Sequence, residues 1–169
     1  MPGRPLRIPL PVSAWSAWAP GLETPDAWQA WAVGACSGGH EGAPPLPFVE
    51  PLLRRRLGRM ARMAIQVANE AFDNHPDTSV VFSSWHGDLQ RTLGMLEAMA
   101  DGEMPSPTAF SLSVNNASMG VFSILKQLRG QSTAVSAGPD SFGYGLLEAL
   151  SRLHDCPDNP VLLVYADDD

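Results

Sequence analysis

A chain of 169 residues is long enough to bury one core of ordinary size. Hydrophobic residues make up 44% and charged residues 17%, which excludes a disordered chain, and no run is long and apolar enough for a membrane span. The net charge of -7, with Lys126 as the only lysine, excludes nucleic acid as the main partner, because phosphate backbones are held by clustered lysine and arginine.

Residues 1–47 read as an irregular portion that carries Trp15, Trp18, Trp28 and Trp31. Within it, residues 8–18 fit an edge strand, and Thr24-Pro25-Asp26 fits a helix start with proline in the first turn. Trp28 and Trp31, three apart, share a face of that helix. Pro2, Pro5, Pro9 and Pro11 interrupt the apolar run a secretory signal needs, so the expected location is the cytoplasm, with Cys36 and Cys156 reduced. Residues 34–47 are rich in glycine and proline and read as a surface loop.

An α/β core is expected over about residues 48–166, making the chain a single domain. Its first element is one helix over residues 50–72, with an apolar stripe of Leu53, Leu57, Met60, Ala64 and Val67. Arg55, Arg59 and Arg62 fall on a neighbouring face, which is either a solvated surface or a docking patch for an acidic carrier. A strand over residues 79–84 follows, then a helix capped by Asp88 through Leu89, Leu93, Leu96 and Met99. Residues 106–113 read as extended, and residues 114–128 as a helix with Met119, Phe122 and Leu125 on one side. A strand over residues 132–137, a helix over residues 140–153 marked by Phe142, Leu146, Leu147 and Leu150, and a strand over residues 161–166 complete the pattern. Helices alternating with β-rich runs imply parallel pairing through crossover helices.

The turn at residues 136–141 has the setting of a catalytic cysteine and contains none. A nucleophile between a strand and a helix N-terminus would have its thiolate stabilised by unpaired N–H groups and the helix dipole. Gly138, Pro139 and Asp140 occupy that place. Phosphate-binding loops, nucleophile elbows, paired zinc histidines and cysteine quartets are all missing from the sequence. His86 lies in the Ser84-Trp85-His86-Gly87 turn without an identifiable nucleophile, His40 and Glu41 are isolated in a loop, and Asp167 to Asp169 read as a solvated acidic tail.

The stretch from Ser111-Leu112-Ser113-Val114-Asn115-Asn116 through Arg129-Gly130 and Ser136-Ala137-Gly138 to Glu148-Ala149 resembles the β-ketoacyl-acyl-carrier-protein synthases, and more closely their non-condensing chain-length factors. The arginine-rich run from Arg54 to Arg62, the Val80 to Asp88 strand and turn, and Ser106-Pro107 extend the likeness over about residues 45–166. The resemblance implies a thiolase-like, ketosynthase-type half whose mixed or parallel sheet is flanked by helices, with no cofactor and no metal. It places Pro139 at the nucleophile position. It further implies a catalytically silent subunit that forms a heterodimer with an active ketosynthase in fatty acid, aryl polyene or polyketide synthesis, or a homodimer without that partner. Thr133, Ala134, Val135 and Ser136 would lie at the interface with Phe110, Asn115 and Asn116 nearby, and an acyl carrier protein would dock at Arg55, Arg59 and Arg62. Two other classes stay open: an acyltransferase or hydrolase acting alone through His86 or Asp140, and a stand-alone acyl-carrier or small-molecule binding module.

Overall fold

Three short runs rich in valine and leucine become the strands β1 (Ser79–Ser83), β2 (Ser132–Val135) and β3 (Val161–Tyr165) of one parallel sheet, in the order β2-β1-β3. The computed structural model describes residues 10–168. Register is set by Phe82 opposite Ala134 on one side and Val164 on the other. The helices are α1 (Pro25–Ala32), α2 (Pro51–Arg56), α3 (Arg59–Ala71), α4 (Leu89–Ala100), α5 (Pro107–Ser111), α6 (Ala117–Lys126) and α7 (Ser141–Asp155). No described helix is long and apolar enough to cross a membrane.

The chain leaves β1 for one neighbour through α4 to α6 and returns past it to the other through α7. Right-handed crossovers taken in opposite directions put their helices on opposite faces of the sheet. Val80, Phe82, Leu162 and Val164 accordingly share a core with Met60, Ala64 and Ile65 of α3 and Met119 and Phe122 of α6. Leu125 packs against the edge of this core. On the other face α7 lies against β1 through small residues. Ser141, Gly145 and Ala149 are buried at a spacing of four, and a Cβ on Gly145 would sit 2.8 Å from the Ser83 Cβ. The large residues that marked this helix in the sequence, Phe142 and Leu147, are exposed instead. An apolar period identified the helix but not the face it buries, because the sheet is approached too closely there for a bulky side chain.

The stretch expected as one helix over residues 50–72 is two. Leu57 turns to an extended conformation and buries its side chain, and α3 restarts from Gly58. Glycine disfavours a helix interior, and the Asp88 carboxylate packs against the break so closely that a Cβ on Gly58 would stand 2.7 Å from its Oδ2. Arg91 then donates to Asp88 at 3.0 Å and to the Arg56 carbonyl at 2.8 Å, closing over the gap. Arg55 therefore belongs to a different helix from Arg59 and Arg62. Residues 107–111, expected as extended, form α5 because Ser106 caps Ala109 N–H and Pro107 opens the first turn. From Leu10 to Trp18 no strand forms, and the rest of the edge strand expected over residues 8–18 lies outside the described residues.

Other local expectations hold. Thr24 caps α1, Trp28 and Trp31 meet edge to face at 5.5 Å, and Asp88 caps α4 by accepting from Arg91 N–H. The loop over residues 34–47 is irregular but tethered: Arg62 donates to the Pro44 carbonyl at 2.9 Å, Arg54 to that of Leu46 at 3.2 Å, and Leu46 is fully buried. Cys36 and Cys156 are free thiols on the surface.

Two glycines of α7 should respond in opposite directions. Gly143 has no atom within 4 Å of a Cβ, so Gly143→Ala should stabilise by about 0.5–1 kcal/mol through helix propensity. Gly145→Ala drives a methyl into Ser83 and should cost about 1–3 kcal/mol, both read from urea midpoints.

Candidate functional site

Parallel sheets present their functional loops at the carboxyl ends of the strands, where the strand order reverses. Here three segments meet: Ser84-Trp85-His86 after β1, residues 136–141 after β2, and Asp167-Asp168 after β3. Ser84 is buried, and its hydroxyl donates to Asp167 Oδ1 at 2.8 Å while accepting from Gly87 N–H. Gly87 has a positive φ of 65°, and a Cβ there would lie 2.5 Å from Asn115 Oδ1, so glycine is needed for both the turn and the close approach.

Asp167 organises this end of the sheet. Its carboxylate accepts from Trp85 N–H at 3.0 Å and from His86 N–H at 2.9 Å. Burial pushes its carboxyl up, but the hydrogen bonds from His86, Tyr165, Trp85 and Ser84 together outweigh this and hold it below the ordinary carboxylate value. Asp168 is also buried and pairs with Arg59 at 2.5 Å. The expectation of a solvated acidic tail is therefore wrong for both residues; Asp169 lies outside the described residues. Their position just past a parallel strand and beside the β1 turn was the available signal. A run of three like charges masked it.

The turn after β2 is held by its own atoms. Asp140 N–H bonds to the Ala137 carbonyl and Ser141 N–H to that of Gly138, which adopts a positive φ of 61°. The Ser141 hydroxyl accepts from Ala137 N–H at 2.9 Å and donates to the Gly138 carbonyl at 2.7 Å. Asp140 stands at the N-cap position as expected, but its side chain makes no capping bond. Ser136 Oγ donates to the Trp85 carbonyl at 3.2 Å, joining the two turns. Trp85 and His86 stack at 4.4 Å, with Trp85 47% exposed.

The chemistry available here is limited. His86 Nδ1 is 3.8 Å from Asp167 Oδ1, beyond the reach of the hydrogen bond that would orient a base. Covalent catalysis also needs a nucleophile within reach of the base. Of the two hydroxyls in the turn, Ser141 is fully buried and bonded on both sides, and Ser136 is exposed and donates to the Trp85 carbonyl. His40 and Arg59 come together with Asp88, Arg91 and Asp168 in an open polar depression of about 500 Å³, and no group of three or more metal-ligating side chains forms among the described residues.

The other sequence-derived residues are spread wider. Thr133 to Val135 form the free edge of β2, and Phe110, 63% exposed, lies on α5, with Asn115 and Asn116 exposed beyond it. Arg55 is exposed, whereas Arg59 donates to the His40 carbonyl and Asp168, and Arg62 to Pro44.

Asp167→Asn should destabilise the fold by about 1–2 kcal/mol at neutral pH, since it weakens several hydrogen bonds to a charged group. A carboxyl depressed in the folded state stabilises above its unfolded value of 3.8 and loses that contribution as pH falls through the folded value. Thermal melts of the two proteins should therefore differ most at pH 6–7 and converge below about pH 4.

The family model of the β-ketoacyl synthase N-terminal domain matches residues 28–169. A chain from the solved complex of a ketosynthase (ApeO) with its chain length factor (ApeC) from Xenorhabdus doucetiae is 34% identical, with a TM-score of 0.79 over 94% of this chain and 67% of that chain. No curated protein matches. The architecture is thus the thiolase-like fold of ketosynthases, with a small parallel sheet flanked by helices. By both the matched domain and this structural likeness, the chain belongs to the β-ketoacyl synthase family.

Proposed function

We propose that the chain is a non-condensing subunit, a chain-length factor, that pairs with an active ketosynthase in the cytoplasm and helps shape the pocket for the growing acyl chain. The observation that carries this reading is the turn at Gly138-Pro139-Asp140: it joins β2 to the N-terminus of α7, a setting suited to a nucleophile, and holds no thiol. Support comes from the similar chain, which was solved in a ketosynthase and chain length factor complex. Aryl polyene synthesis, or a related fatty acid or polyketide pathway, is the proposed setting. An enzyme acting alone through His86 or Asp140 is disfavoured, because the Ser141 hydroxyl is committed to Ala137 and Gly138 and that of Ser136 donates to the Trp85 carbonyl and not to His86.

The interface is proposed along the free edge of β2. Val80 N–H bonds to the Gln131 carbonyl and Ser84 N–H to that of Val135, so odd-numbered residues of β2 face β1. Ser132 and Ala134 consequently turn their backbone groups outward, a row of donors and acceptors suited to a partner strand. Phe110, Asn115 and Asn116 would border that contact. The acidic acyl carrier protein is proposed to dock through Arg55, with Arg59 and Arg62 contributing less because their guanidinium groups are already bonded within the chain.

Two measurements test this reading. When the chain and its ketosynthase are incubated together with an acyl donor, intact mass should show acylation of the ketosynthase alone; stoichiometric acylation within residues 138–141 would overturn the assignment. Ala134→Pro removes an outward donor while leaving the bonds to β1, so it should raise the dissociation constant at least about tenfold with an unchanged circular dichroism spectrum. Wild-type protein that fails to bind its ketosynthase in sedimentation would remove the proposal.

A further inference from the structure

We propose that Arg152 is a positioning residue that straps β2 to α7 and holds it in the form a partner strand needs; the inference rests on the reading of β2 as the edge that meets the ketosynthase. β2 is four residues long and has one neighbouring strand, β1, among the described residues. Short edge strands fray readily, because half of their backbone groups are bonded to nothing in the sheet. Pairing with a second chain requires those groups in line. An edge that is ordered beforehand therefore binds more tightly than one that must be ordered on contact.

The two ends of β2 are tied to the segments that flank β1. Before the strand, Arg129 N–H donates to the Pro76 carbonyl at 2.8 Å, and Gly130 lies so close to Thr78 that a Cβ would stand 2.2 Å from the Thr78 carbonyl oxygen. After it, the Ser136 hydroxyl donates to the Trp85 carbonyl at 3.2 Å. The stretch between these anchors is supported from the helical layer by one guanidinium group.

Arg152 Nε donates to Glu148 at 2.8 Å, one turn back along α7, which fixes the plane of the group. Its Nη1 donates to Gln131 Oε1 at 3.0 Å and its Nη2 to the Thr133 hydroxyl. Gln131 and Thr133 are two positions apart, so their side chains stand on the same face of the strand, roughly 6.6 Å from each other along it. A planar guanidinium with diverging N–H groups holds both at once, whereas an ammonium is a single point of charge. Only 15% of the Arg152 side chain is exposed although it lies beside an open edge, so it is packed in place and not solvated. All three bonds go to side chains. The outward backbone groups of Ser132 and Ala134 stay free, and the strap orders the edge without covering it.

Residue-resolved amide exchange and binding to the ketosynthase, measured on the wild-type chain, Arg152→Ala and Arg152→Lys, test the proposal. The Thr133 and Val135 amides face β1 and report fraying of β2, while Leu162 and Val164, on the far side of β1, report whether the fold is intact. In both variants Thr133 and Val135 should exchange at least about tenfold faster with Leu162 and Val164 unchanged, and the dissociation constant should rise at least about tenfold. Unchanged exchange at Thr133 and Val135 in Arg152→Ala would overturn the proposal, as would equal loss of protection at Leu162 and Val164, the mark of a general support of the fold. Recovery of both readouts in Arg152→Lys would also overturn it, because charge alone would then suffice. Faster exchange with an unchanged dissociation constant overturns the role in pairing and leaves the partner reading standing. Wild-type protein that binds no ketosynthase removes the partner reading itself, and with it the role of the strap in assembly.

Discussion

A hydroxyl in the middle of the sheet fixes the geometry on which the rest of the molecule depends. Ser83 ends β1, is fully buried and donates to the Ser141 carbonyl at 2.6 Å, across 58 residues of sequence. A buried hydroxyl left without a partner costs about 1–3 kcal/mol, so α7 is held where its first turn can accept that bond. Gly145, one turn further on, allows the helix axis to come close enough. Everything at the carboxyl end of the sheet follows from this seating. With α7 placed, residues 136–140 have only a short span to cover from β2, and they do so as a tight turn directly over β1.

That end of the sheet is built as mutual restraint. Asp167 holds the Trp85 and His86 amides, Ser84 holds Gly87, Ser136 reaches the Trp85 carbonyl, and Ser141 closes the turn around Gly138. Donors that would stabilise a developing charge in a working site are committed to the turn itself, as at Asp140 and Ser141. A strand, turn and helix that spend their polar groups on cohesion are suited to the supporting role proposed for the chain. The same bonds give a rigid crown beside the β2 edge, where a partner would meet it.

The sequence made the strands and most helices legible because each carries a local signal: valine runs for β1 and β3, Thr24 and Asp88 as caps, an apolar stripe at Met60 and Ala64. Apart from α5, whose signals Ser106 and Pro107 are local, failures occurred where a distant residue decided the outcome. Gly58 offers a local weakness in a helical pattern, but the carboxylate that packs against it, Asp88, lies 30 positions later. Asp167 and Asp168 looked like solvent-facing charge, yet one carries the β1 turn and the other pairs with Arg59. Arg59 and Arg62 looked free for docking for the same reason: their partners, Asp168 and the Pro44 carbonyl, are remote in sequence. The absence of a cysteine at residues 138–140 was fully legible, since a missing atom needs no fold to be seen.

Large apolar side chains stand on the surface of four helices: Leu96 and Met99 on α4, Phe110 on α5, Ile124 on α6 and Phe142 on α7 are all more than half exposed. α4 buries none of its residues, although Leu93, Leu96 and Met99 recur along one stripe. A helix in water keeps such a stripe only when something else covers it in the working state. α4 lies next to α5, whose Phe110 is proposed to border the contact with the ketosynthase.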